Sequence, residues 1–302
     1  MPAVNISQLP KPDIIETLDF EAILEKWLSR YVEAWPPEQQ PAVRAAVSML
    51  SDPVRKVLEV AAWQEMLLRQ RVNDGATACM MAFAKGNDLD HLAAAFDVER
   101  LVIHPGDNTA IPPVAPVMES DDDLRTRAHE ALDGISTAGA MKSYEFHARS
   151  ADGLVADATA ISPSPACVTV TILSREGDGT ASQELINKVS QALNDERVRP
   201  VADRLTVQSA GIVRYEIDAV LYLLPGPEAP KILAAARQRV QLYTERQRRL
   251  GRDINLSAIY AACHVEGVQR VVLKSPTADK KLNKTQASWC TRQTLTAGGS
   301  GE

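Results

Sequence analysis

With 302 residues, 45% of them apolar and 24% charged, the chain is long enough for two or three folded units, and its composition fits neither a disordered nor a collagen-like protein. A net charge of −6 argues against a partner held mainly through a phosphate backbone or an anionic lipid surface. The four cysteines, Cys79, Cys167, Cys263 and Cys290, are scattered without CxxC or Cys/His spacing, so they read as reduced thiols from a cytosolic setting rather than as zinc ligands.

The first twelve residues carry Lys11 as their only charged side chain and no apolar core, which does not resemble a signal peptide, and no run of 18 apolar residues follows anywhere. Pro2, Pro10 and Pro12 instead space out an extended arm. Phe20, Ile23, Leu24, Trp27, Leu28 and Tyr31 then recur at helical spacing, with Asp19 as N-cap and Pro36-Pro37 as the stop. A second helix is predicted from about Pro53 to Val72, capped by Ser51 or Asp52. Val54, Val57, Leu58, Ala61, Leu68 and Val72 form one stripe on it, and Trp63, Met66 and Leu67 form another. A helix apolar on two faces must be covered on two sides, which points to partner chains. After the small residues Ala76 to Ala84, a turn at Gly86-Asn87 precedes a short helix with Leu89, Leu92, Ala93 and Phe96.

Residues 104–118, with four prolines, read as an extended linker at the main domain boundary. Ser120 and Asp123 make a capping box, and Asp121 and Asp122 complement the dipole of a helix carrying Leu124, Ala128, Ala131 and Ile135. After Ser136-Thr137-Ala138-Gly139 a further short helix carries Tyr144 and Ala148. From residue 154 the apolar period changes to two: strands at Leu154–Ala158, Cys167–Leu173 and Leu205–Ser209 enclose a helix with Leu185, Ile186, Val189 and Leu193. A comparable order follows, with strand Ile212–Leu224, a helix from Glu228 to Leu250, a short helix Leu256–Cys263 and strand Val268–Lys274. Beyond Ser275 the sequence is polar, and residues 294–302 read as a mobile tail. The expected fold is α+β: helical residues 1–105, a linker and connector at 106–150, α+β units at 151–210 and 211–276 with mixed sheets, and a polar tail at 277–302.

No motif in the chain demands chemistry. Asp121-Asp122-Asp123 with His129-Glu130 is better explained by helix N-terminal charge than by a metal, since His129 lies nearly two turns away. Gly177-Asp178-Gly179-Thr180 lacks the lysine and length of a Walker loop and reads as a strand-to-helix turn, capped by Thr180 with Gln183. His91, His104, His129, His147 and His264 stand apart from any GxSxG-type motif and read as structural. Arg237, Arg239, Arg246, Arg248, Arg249 and Arg252 form the most basic stretch, which Glu245 and Asp253 interrupt; a solvated helix face, or a rim against an acidic partner, fits it better than a phosphate track.

Residues 57–103 and 116–174 resemble the phage baseplate J family, which also includes wedge subunits of other contractile injection machines. The likeness runs in order through an ESD-type cap at 119–121, the STAG turn at 136–139, a Tyr-containing helix, the VADA strand at 155–158, the VTV strand at 168–170 and VRPVADRLTV at 198–207. Ala166 stands where the family often has glycine before the VTV strand, and the segment after Ser275 matches no family pattern. The resemblance implies a non-catalytic wedge subunit without cofactor, catalytic residues or metal, working in the virion tail baseplate and assembled in the host bacterial cytoplasm. Its implied partners are a smaller wedge protein, other copies of itself, and sheath-proximal baseplate and hub proteins, with no nucleic acid and no membrane. In such machines two copies join one smaller protein through a helical bundle, C-terminal parts pair into a ring, and the contraction trigger passes through them. Phe20, Ile23, Trp27, Tyr31, Trp63, Met66 and Leu67 are the expected partner-binding side chains. The rival readings are a hydrolase on the α+β half and a nucleic-acid binder using the arginine-rich helix 237–252.

Overall fold

The structure is a computed structural model that describes residues 10, 12–134, 141–224 and 229–300. Pro2 of the arm, the STAG turn, Ile135, Glu228 and the last two residues lie outside the described residues. The chain forms two compact units, Met1–Asp97 and Val98–Glu302, so the division falls before the proline-rich stretch.

In the first unit, helix α1 (Phe20–Glu33) starts where Asp19 accepts hydrogen bonds from the amides of Glu21 and Ala22. Helix α2 (Gln40–Ser48) escaped the sequence reading because it is nine residues of mostly alanine and valine that bury Val47 alone. Helix α3 (Pro53–Ala78) is capped by Asp52 and runs six residues past its expected end, carried on by the small residues that follow Val72. The core between α1 and α3 is Ile23, Leu24, Leu58 and Ala62, with Phe20, Trp27, Leu28, Tyr31 and Met66 half-buried at its margin. Helix α4 (Gly86–Ala94) buries Leu89 and Ala93, while Phe96 lies beyond its end and is exposed.

The second unit is α+β, as expected. Strands β1 (Val102–His104) and β2 (Val117–Met118) pair antiparallel, so the stretch read as a linker is a short ribbon. Helices α5 (Asp121–Gly134) and α6 (Met141–Ala151) follow, with Ser120 Oγ accepting the Asp123 amide as a cap. The first sheet has the order β3 (Val155–Ser164), β4 (Cys167–Ser174), β5 (Arg204–Ser209), with β4 antiparallel to β3 and parallel to β5 across helix α7 (Gln183–Leu193). Ala166, in the β3–β4 turn, takes φ +59°, a left-handed conformation that suits glycine better. Ser182, not Thr180, caps α7, which corrects the sequence reading.

Strand β6 (Gly211–Leu223) centres the second sheet, antiparallel to β7 (Val268–Ser275) and parallel to β8 (Gln286–Ser300). Helices α8 (Ala229–Gln247) and α9 (Leu256–Cys263) cover one face through Ala236, Val240, Ile259 and Cys263. Strand β8 corrects the mobile tail: residues 294–300 are paired with β6. The strand was hidden because Ala287 and Leu295 are its only buried apolar residues among those described, and its other side chains are mostly polar. All four cysteines are free thiols.

Candidate functional site

Two features stand out, one in each unit. On α3, Val57, Val60, Trp63 and Leu67 recur every three or four residues, and Leu68 and Val72 flank them, so the six share one broad face about half the helix circumference wide. All six remain 46–68% exposed. Scattered exposed hydrophobic residues are ordinary, but a contiguous stripe four turns long is the signature of a covered surface. The opposite side of α3 is occupied by α1. Of the expected partner-binding residues, Ile23 is enclosed in that α1–α3 core, and Phe20, Trp27, Tyr31 and Met66 are half-buried around it. Trp63 and Leu67 face outward, with Phe20 edge-on to the Trp63 ring at 6.2 Å. Trp27 donates its indole N–H to Glu65 Oε2 at 2.7 Å, and Arg69 bonds Glu65 and Glu16. The Arg69 hydrogen bond, working against partial burial and aided by Trp27, holds Glu65 below the usual carboxylate range.

In the second unit, the charged side chains converge where the two sheets meet. Asp123, in the first turn of α5, pairs with Arg175 at 2.8 Å and with Arg249 at 2.8 Å. Burial raises the Asp123 carboxyl, but the two guanidinia outweigh it and keep the group below its ordinary value. Arg249 also donates to the Ala156 carbonyl on the outer edge of β3, where Glu145 accepts the Ala160 amide at 3.0 Å. The Leu250 amide donates to Asp157 Oδ2 at 2.9 Å. Arg248 reaches the carbonyls around the β4–α7 turn, including Gly177 at 2.9 Å and Ser174 at 3.3 Å, while its guanidinium lies 4.5 Å from the Trp289 ring centre. Beside this network, Arg127 and Glu119 form a buried bidentate pair, and Arg149 pairs with Glu130. A cavity of about 360 Å³, lined by Asp123, Glu130, Asp157, Arg175 and Arg249 among others, lies in the middle.

This corrects the arginine-rich segment. Helix α8 ends at Gln247 rather than Leu250, which frees Arg248 and Arg249 to turn inward; they are structural contacts, whereas Arg237, Arg239, Arg246 and Arg252 stay exposed. The acidic run does more than complement a helix dipole, since Asp121 pairs with Arg100, Asp122 with Arg125 and Asp123 with two arginines. Asp178 accepts from Thr180 within the GDGT turn and pairs with Arg214 of β6, so the turn is closed by its own side chains and tied to the second sheet. Sequence reasoning missed the roles of Asp157 and Arg175 because their partners lie tens of residues away and leave no local pattern. Among the described residues, no three His, Cys, Asp or Glu side chains are grouped to hold a metal, and no helix is long and apolar enough to cross a membrane.

Three family models match the chain: the baseplate J-like N-terminal domain over residues 51–107, the central domain over 136–209 and the C-terminal domain over 215–298. The baseplate protein J of Escherichia phage P2 is 53% identical over 302 residues, covering all of both chains. A chain in the cryo-EM structure of the anti-feeding prophage (AFP) baseplate superposes with a TM-score of 0.38 at 12% identity, over 61% of this chain and 46% of that one, so less than half of that chain's length is spanned.

Proposed function

The chain belongs to the baseplate J-like family, and on that footing we propose that it is a structural subunit of a contractile phage tail baseplate. The observation that carries this reading is the uncovered apolar face of α3, with Val57, Trp63, Leu68 and Val72 all more than half exposed. Permanent subunit interfaces are core-like and bury on the order of 2,000–5,000 Å². In this reading that face packs against helices of a smaller wedge protein and of a second copy. The α+β unit meets neighbouring subunits in a ring around the hub and passes on the contraction trigger. The work is mechanical and not catalytic, and its place is the virion tail, after assembly in the host bacterial cytoplasm.

The test is co-expression with the neighbouring tail genes, followed by native mass measurement of the purified complex. Wild-type chain is expected in a hetero-oligomer, and the Trp63→Asp/Leu68→Asp variant as a free chain with unchanged circular dichroism. A variant that assembles at wild-type yield sinks the proposal.

A further inference from the structure

The central and C-terminal α+β halves of the second unit are joined by little that is apolar. Strand β5 passes into β6 through Ala210 alone. Among the described residues, the buried apolar cluster bridging the halves is Leu173, Ala210, Leu250 and Ala287, four side chains against twelve in the central core and fourteen in the C-terminal core. Much of the remaining contact is polar: Arg175, from the central half, and Arg249, from the C-terminal half, share the two oxygens of one carboxylate, Asp123, while Arg214 pairs with Asp178, the Leu250 amide donates to Asp157 and Thr159 donates to the Lys284 carbonyl at the margin.

We propose that Asp123 is the bolt of an electrostatic latch that holds the two α+β halves in one arrangement, and that the halves swing apart about Ala210 when it is withdrawn, each keeping its own core. The chemistry of the joint favours two discrete states. Packed apolar surfaces resist separation because water must enter against the hydrophobic effect, whereas guanidinium and carboxylate groups regain hydration as they part, which nearly cancels their lost attraction. The polar cavity beside Asp123 already has room for that water. Arg248 works in the same direction: it holds the 174–177 carbonyls by hydrogen bonds that water can replace. Small changes of charge at such a joint are amplified into rigid-body rotation because each half moves as a packed block. The latch is a property of this chain's own contacts and does not depend on its assignment to a baseplate.

Hydrogen–deuterium exchange on the full-length chain tests it. In about 0.15 M salt, the peptide covering 248–252, whose Leu250 amide donates to Asp157 across the joint, is expected to exchange slowly in wild type and roughly tenfold faster in Asp123→Asn, with Asp123→Glu in between. Raising salt to about 1 M should speed the same peptide in unmodified protein, which reads the latch even if a variant folds poorly. Peptides covering 168–172 and 216–222, in the two cores, should stay unchanged. Exchange at 248–252 that ignores both Asp123→Asn and salt overturns the proposal, and so does equal acceleration of the core peptides, which would mean loss of fold rather than opening.

Discussion

The side-chain amide of Asn73 holds both backbone groups of Glu16: Nδ2 donates to its carbonyl at 2.9 Å, and Oδ1 accepts its amide at 3.1 Å. Asn73 thereby imitates a strand partner, fastening the segment before α1 onto α3 from a buried position. Asn73→Ala removes both hydrogen bonds and is expected to cost about 1–3 kcal/mol, at about 0.5–1.5 kcal/mol for each. Trp27, Trp35 and Trp63 report this unit, so the loss should appear as an earlier tryptophan-fluorescence transition in urea. An unmoved midpoint would show that the segment is anchored by something else.

Glu119 and Arg127 are a fully enclosed ion pair, joined by two hydrogen bonds of 2.8 and 2.6 Å. Removing one partner strands the other charge away from water, so Arg127→Met should destabilise by about 3–5 kcal/mol. Arg127→Met/Glu119→Leu should recover a large part of that. Denaturant titration of both variants decides it: a double variant no more stable than the single one contradicts this account.

Two turns test backbone conformation in opposite directions. Gly179 has φ +105°, and a Cβ there would come within 2.6 Å of Leu173 Cδ1 and 3.3 Å of Ile212 Cδ1, so Gly179→Ala should lower stability by about 1–3 kcal/mol. Ala166 already sits in the left-handed region, and Ala166→Gly should raise stability by up to about 1 kcal/mol. Thermal midpoints moving the same way for both would refute the reasoning.

Asp123 also makes a prediction about acid. Its folded-state pKa is depressed below the ordinary 3.8, because Arg249 and Arg175 outweigh its burial. The unfolded chain therefore takes up the proton first, and the stability Asp123 contributes, fully present above about pH 4, is lost as pH falls through its lower folded value. Glu145 acts in the opposite sense, since burial raises its carboxyl and acidification relieves the cost of its charge. Melting temperatures of wild type and Asp123→Asn should converge as pH is lowered from 6 to about 3. A constant gap between the two curves would rule this out.

What could be read from sequence was whatever repeats locally. The 3.6 period from Phe20 to Tyr31 placed α1, residues 256–263 gave α9 at its observed limits, and the surplus of apolar residues on α3 is present as an exposed face. Alternation exposed β6, where Tyr215, Ile217, Ala219, Leu221 and Leu223 are buried in turn, while β4 was found as a short apolar run that is buried on both faces over its second half. The joint was not legible, because Asp123 and Arg249 are 126 residues apart and each has an adequate local explanation, one as a helix-terminal acid and one as a member of a basic stretch. Nor was β8, since a strand that buries so few of its side chains carries almost no hydrophobic period.

That last strand has a practical consequence for anyone cutting or tagging the molecule. A truncation drawn at Ser275 on the strength of the hydrophilic composition beyond it would strip one of three strands from the second sheet and leave the long flank of β6 bare. Crystallisation trimming or domain expression should therefore keep the chain through Ser300.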